Sequence, residues 1–196
     1  MGRFSLAFLL LLLSSVAGGV ASSTAEFVRN ACSRTRYPDL CEQCLAVYAP
    51  AVHRSKLALA RAALSVSADR AGTASAFVGR MSASAAARGS RNSLEAGAVR
   101  DCIETLRDGV DRLRRSVKEM AAMAGFADSR RSRFAWHLSN VQTWVSAALT
   151  DETTCLEGLA QFADPSVRTA VRKKVVEVAQ VTSNALALVN QLGPKN

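Results

Sequence analysis

Apolar residues recur in steps of four and three along the middle of the chain: Val99, Ile103, Leu106, Val110, Leu113, Val117, Met120 and Ala124. A repeat of that period places one apolar stripe along one side of an α-helix, the seam of a left-handed bundle. Three other stretches have related patterns. From about Val52 to Ala87 the inward positions are Leu57, Leu64, Ala71, Val78 and Met81. From about Ser132 to Gly158 they are Phe134, Leu138, Val141, Val145, Ala148 and Cys155, with Leu159 just beyond. The last stretch carries Val171, Val175, Val178, Ala185, Val189 and Leu192 before Gly193-Pro194 ends it.

Boundary residues separate these four helices. Ala87-Arg88-Gly89-Ser90-Arg91 breaks the first, and Asn92 with Glu95 three residues on forms a capping-box-like start for the second. Gly125 stops the second, and Asp164-Pro165 combines a capping Asp with a Pro suited to the first helical position. Short connections make neighbours antiparallel, so the pattern predicts an all-α, up-down-up-down four-helix bundle over residues 50–192. One seam position is polar. Glu152 interrupts the third stripe, and because a buried unpaired carboxylate is costly, the pattern predicts local irregularity or a rotated last turn there.

Ahead of the bundle, residues 24–49 read as a hairpin of two short helices. Ala25, Val28 and Ala31 or Cys32 have helical spacing, and Pro38 suits the first turn of the second helix. Neither helix is long enough to be stable alone in water, so a Cys32–Cys41 bridge closing the hairpin has a clear use. The hairpin is expected to pack at one end of the bundle.

The N-terminus changes the compartment. Arg3 precedes an apolar run from Phe4 to Leu13, and small residues follow at Gly19 and Ala21. This is the layout of a signal peptide over residues 1–21, and the run is far shorter than the ~20 residues of a spanning helix. The C-terminus shows no apolar tail for a lipid anchor. A secreted single domain over residues 22–196 is the expectation, with no membrane attachment after cleavage. Abundant Ala, Leu and Val with only 6% aromatic residues fits helices better than a sandwich or barrel.

The net charge is +9, and cleavage removes one basic residue, Arg3. Arg112, Arg114, Arg115, Arg130, Arg131 and Arg133, with Lys118 among them, would lie along and beneath the tip of a hairpin formed by the second and third bundle helices. They are candidate contacts for a polyanion; a solvated face that aids solubility is the other reading.

Five cysteines behind an export signal read as covalent staples rather than catalytic groups. Any one of five can be left free and the other four paired in three ways, so sequence alone leaves the connectivity open. Cys41-Glu42-Gln43-Cys44 has redox-motif spacing but lacks the strand-then-helix context of thioredoxin-like sites. Catalytic groups are sparse. His53 and His137 fall on different expected helices, no ligands cluster for a metal, and no phosphate loop, nucleophile elbow or dinucleotide fingerprint is present. Asp101, Glu104, Asp151 and Glu152 read as surface charges or capping groups near helix ends. No catalytic residue, cofactor or metal site is expected.

Three motifs carry a family resemblance: Arg34-Thr35-x-Tyr37-Pro38-x-x-Cys41; Val141-Gln142-Thr143-Trp144-x-Ser146-Ala147-Ala148-Leu149-Thr150 leading to Thr154-Cys155; and, more weakly, Asp101-Cys102-x-Glu104. In this order and at these distances they resemble the plant invertase/pectin methylesterase inhibitor family, over Thr24 to Leu192. The resemblance implies a four-helix bundle with an N-terminal helical hairpin, and, together with helix geometry, the bridges Cys32–Cys41 and Cys102–Cys155 with Cys44 free or in an intermolecular bridge. It implies a non-enzymatic, secreted protein of the apoplast and cell wall that sterically blocks an enzyme's cleft. The Val141–Thr150 stretch is similar to the pectin methylesterase inhibitor branch. Invertase inhibitors often carry Pro-Lys-Phe where this chain has Ser132-Arg133-Phe134, so invertase is the alternative target. A non-inhibitory structural or signalling role in the wall is the further alternative. Gln142 and Thr143 are the candidate enzyme contacts, or else bundle-packing residues. In such a compartment the polyanion would be de-esterified, acidic pectin, and nucleic acid is not an expected partner.

Overall fold

Every regular element among the described residues is a helix. The structure is a computed structural model that describes residues 23–87, 93–123, 131–162 and 165–193. Helix α1 covers residues 23–32, and α2 covers Pro38–Leu45. A 3-10 turn, Ala46–Tyr48, leads into the one-turn α3, Ala49–Val52. The long helices are α4 (Lys56–Ala87), α5 (Ser93–Met123), α6 (Arg131–Phe162) and α7 (Pro165–Asn190). Among these four, α4 packs on α5 and α7, and α6 packs on the same two. Val78 late in α4 and Val99 early in α5 share one apolar cluster with Leu159 late in α6 and Val171 early in α7. Alternating ends therefore meet, as in an up-down-up-down bundle.

The seams are filled as their spacing dictates. Val99, Leu106, Val110, Leu113 and Met120 are buried on α5, with Ile103 and Val117 half-buried at the stripe's edge. Leu138, Val141, Val145, Ala148, Cys155 and Leu159 are buried on α6. α5 and α6 come close at Gly109, where an added Cβ would lie 3.6 Å from the Ala148 carbonyl oxygen.

Two boundaries differ from expectation. The first long helix begins at Lys56 rather than near Val52, because His53 and Arg54 turn left-handed with φ of 45° and 61°. Ser55 then caps the helix, its Oγ accepting the Ala58 N–H at 3.2 Å. α6 runs on past Gly158 to Phe162. The start at Pro165 is seen, whereas capping by Asn92 and Asp164 and the stop at Gly125 lie outside the described residues.

The hairpin is held to the bundle by side-chain amides that bond its backbone. Asn184 on α7, 3% exposed, accepts the Tyr37 N–H at 3.0 Å and donates to the Tyr37 carbonyl at 2.9 Å. Gln191 donates to the Ala31 carbonyl. Cys32 and Cys41 are bridged, with Cα atoms 5.5 Å apart. The hairpin packs at the end of the bundle where α4 begins and α7 finishes, and there α2 lies on the α4–α7 seam, where Cys44 and Leu45 meet Ala63, Val66, Val181 and Ala185. Cys44 is a half-buried free thiol whose Sγ lies 3.7 Å from an Arg70 nitrogen, and Arg70 also pairs with Glu177.

Glu152 overturns the expectation of a rotated turn or a surface charge. α6 stays helical through it, and its side chain is fully buried on the seam. It lies between Ala148 of one apolar cluster and Cys155 of the other. Thr182 donates to Glu152 Oε1 at 2.8 Å, while Oε2 has no hydrogen-bond partner. Burial pushes its carboxyl up to about 8; the Thr182 bond opposes this and the adjacent Asp151 adds to it. The neutral acid is the form this site accommodates.

Two stability predictions follow from this core. The Cys102–Cys155 bridge spans 53 residues of sequence, so replacing both cysteines by Ser lowers unfolding free energy by about 4 kcal/mol in the chain-entropy model; urea unfolding with and without reductant reads it. Because the folded state keeps the Glu152 proton to higher pH than the unfolded chain does, its contribution is fully present below 4.5 and is lost as pH rises to about 8. The slope from this one group is at most about 1.4 kcal/mol per pH unit. Glu152→Gln, isosteric and uncharged, flattens the urea midpoint across that window; an unchanged pH profile would place the titration elsewhere.

Candidate surface on the outer face of the third bundle helix

The same spacing that sends one side of α6 inward sends the other out. Ser132, Trp136, Ser139, Thr143, Ser146, Thr150, Thr153 and Glu157 follow each other in steps of four and three, and all are exposed. Between Trp136 and Glu157 this stripe holds only hydroxyl residues. Trp136, at one end, is 62% exposed.

The hydroxyls are already oriented. Thr143 donates to the Ser139 carbonyl at 2.9 Å, Thr150 to Ser146 at 3.1 Å and Thr153 to Leu149 at 2.9 Å. Each threonine thus uses its proton on its own helix, and presents a methyl group and oxygen lone pairs outward. These three threonines are therefore set to accept rather than donate. β-Branched side chains held in one rotamer also lose little entropy when a partner covers them.

The stripe is fixed in direction by ties on both flanks. Towards α5, Arg112 pairs with Asp151 at 2.8 Å, and Glu119 Oε1 lies 2.7 Å from His137 Nδ1 while accepting from Asn140 at 3.3 Å. Towards α7, Gln142 donates to Asn190 Oδ1 at 3.0 Å. The Cys102–Cys155 bridge joins α5 to α6 beyond these contacts.

Of the two candidate enzyme contacts, Thr143 is exposed in the middle of the stripe, whereas Gln142 is half-buried and occupied with α7. Ser146 and Thr150 stand in the sequence as motif residues but not as contacts, and Trp136, Ser139 and Thr153 were not singled out, although the step pattern that marked the seam, read from Trp136, marks all five. The arginine cluster does not form one patch among the described residues. Arg112 turns to α6 and is paired. Arg114 lines a groove between α4 and α5, and Arg115 is exposed about 100° further round the helix. Arg133 is exposed on α6; Arg130 and the side chain of Arg131 lie outside the described residues.

His53 stands in the left-handed turn before α4, in no helix, and His137 is engaged with Glu119. Asp151 is ion-paired rather than a free surface carboxylate. Among the described residues no three metal-ligating side chains come together, and no helix is long and apolar enough to cross a membrane.

Comparison with known proteins places this geometry in context. The sequence profile of the plant invertase/pectin methylesterase inhibitor family matches residues 26–188. The chain is 46% identical to pectinesterase inhibitor 9 of Arabidopsis thaliana, over 94% of this chain and 89% of that one. It is 39% identical to a 21 kDa protein of Daucus carota, over 94% and 93%. Among solved structures, a pectin methylesterase inhibitor from Arabidopsis thaliana superposes with a TM-score of 0.57 at 20% identity, over 86% of this chain and 97% of that one. At that identity the likeness concerns the fold.

The orientation of α6 is directly testable. Lys in place of Thr143 or Ser146 leaves unfolding free energy within about 0.5 kcal/mol of the parent. The same change at the fully buried Val145 costs more than about 4 kcal/mol. Urea unfolding followed by circular dichroism separates them, and equal losses at all three positions would contradict the stripe.

Proposed function

The chain belongs to the plant invertase/pectin methylesterase inhibitor family, and we propose that it is a secreted inhibitor that lays the outer face of α6 across the substrate cleft of pectin methylesterase. The observation that carries this reading is the stripe from Trp136 to Thr153: uncharged, pre-oriented, rich in acceptors and held rigidly from both sides. Covering such a face costs less desolvation than covering charges, and a rigid helix loses little freedom on docking. Trp136 supplies an apolar anchor of the kind that concentrates binding energy.

Inhibition on this basis is steric. The protein performs no reaction and uses no cofactor; it occupies space that the polymer substrate needs, limiting de-esterification of pectin in the cell wall. Residues 1–21 direct export and are removed, leaving the domain from residue 22. The target preference for the esterase over invertase is supported by Ser132-Arg133-Phe134, where Pro-Lys is missing before the Phe, and by the names of the relatives. Between Trp136 and Thr153 the stripe carries no titrating group.

Titration of a plant pectin methylesterase with the purified mature protein, with an acid invertase in parallel, tests the proposal. Near-stoichiometric, reversible loss of esterase activity is expected, with invertase unaffected. Thr143→Lys weakens inhibition by at least about tenfold while helicity is kept, since it places a bulky cation where the partner presents donors. Potent inhibition of invertase with none of the esterase overturns the target and leaves the steric mechanism standing.

A further inference from the structure

A second surface lies along the α4–α5 seam. There the two helices leave an open groove of about 760 Å³. Arg80 on α4 and Arg107 and Arg114 on α5 line it, with Asp111 as the one acidic residue. All three arginines are exposed, and none makes an ion pair among the described residues. Arg107 and Arg114 are two turns apart on one face, about 10.5 Å along the axis. Arg112, by contrast, is neutralised by Asp151 on the opposite flank of the same helix.

Between the arginines the groove is lined by small residues, Gly72, Ser75, Ala76, Gly79 and Ala83, and by Val110. Gly72 and Gly79 stand seven residues apart inside α4, and a Cβ added at either would meet nothing within 4 Å. Among the described residues no packing contact therefore requires glycine there, although glycine is a poor residue for a helix interior. The open floor and the unpaired guanidinium groups occur at the same place. A guanidinium presents a planar fork that matches a carboxylate, so a row of them suits a ligand with repeated carboxylates.

We propose that this groove binds a run of carboxylates on de-esterified acidic polysaccharide, with Arg80, Arg107 and Arg114 as the contacts and the Gly72–Gly79 floor admitting the sugar rings. The choice of polyanion rests on the cell-wall reading above, since de-esterification is the reaction that creates those carboxylates. The protein would thus be retained by the product of the enzyme it restrains. The hydroxyl stripe of α6 is a different face, so polymer and enzyme do not compete for the same residues.

The test is binding of the full mature protein to a defined oligogalacturonate, with its fully methyl-esterified counterpart and poly-aspartate as competitors, over a salt series. Tight binding that weakens linearly with the logarithm of salt is expected, as for any polyanion that releases counterions. The esterified oligomer should not compete. Arg80→Glu/Arg107→Glu/Arg114→Glu weakens binding by about tenfold or more, whereas the charge-matched Arg172→Glu/Lys173→Glu/Lys174→Glu on exposed α7 positions does not. Gly79→Leu, which fills the floor without changing charge, also weakens it, and this variant serves if the triple reversal misfolds. Equal losses in both triple variants would reduce the effect to net charge and overturn the site; so would unchanged binding by Gly79→Leu, or poly-aspartate competing as well as the sugar. Esterase inhibition by the groove variants stays at parent level. Loss of inhibition in the parent itself would instead strike the proposed function and leave the groove measurement intact.

Discussion

The rotation of α6 about its own axis is the constraint on which the rest of the molecule depends. A helix whose residues 134, 138, 141, 145, 148, 152, 155 and 159 point inward has no freedom left over what points outward. Burial of the inner set fixes the outer one, and a turn of a few tens of degrees would expose valines and bury hydroxyls. Side-chain ties to α5 and α7 and the bridge to Cys102 hold the rotation against the torque a docking partner would apply. The surface is in this sense a by-product of the core: its precision comes from residues that no partner touches.

Glu152 is the exception within that core, and it shows what the bundle tolerates. It sits where the two apolar clusters meet, with Thr182 as its partner from the facing helix. A neutral carboxyl with one hydrogen bond is an acceptable core group, whereas the ionised form would leave a charge buried without a counterion. A polar pair at one level of a repeating seam also penalises every other register, since a slip would strand both groups among valines and leucines. Acidic surroundings favour the form the structure holds.

The sequence made the helices legible because their information is local and periodic. The stripe from Val99 to Met120 states its inward face without knowledge of any other segment, and Pro165 announces α7 in the same way. What could not be read was long-range. Thr182 lies thirty positions from Glu152, and nothing near either residue says that they meet. The arginines illustrate the same limit: Arg112 and Arg114 look equivalent in the chain, yet 200° of helical rotation gives one to Asp151 and the other to an open groove. The outer hydroxyl stripe falls between these cases. Its spacing was visible in the sequence, but exposed Ser and Thr are common, and only the uninterrupted run of them along one outward face of α6 distinguishes this row.

A strongly basic protein whose proposed docking face is neutral would separate two physical tasks. Long-range attraction depends on net charge and is screened beyond about 8–10 Å at ordinary ionic strength. Short-range fit depends on surfaces that can be dried at low cost. Had the positive charge been concentrated on α6, attraction to polymer would have buried the face that the proposed mechanism requires. With unpaired arginines over α4 and α5 and hydroxyls over α6, the proposed polyanion groove and the proposed docking helix lie on different faces. The division follows from two alternations of the same heptad: on α5, positions 107 and 114 face the α4 side and 112 faces α6, so charge is either displayed or cancelled according to the flank on which it falls.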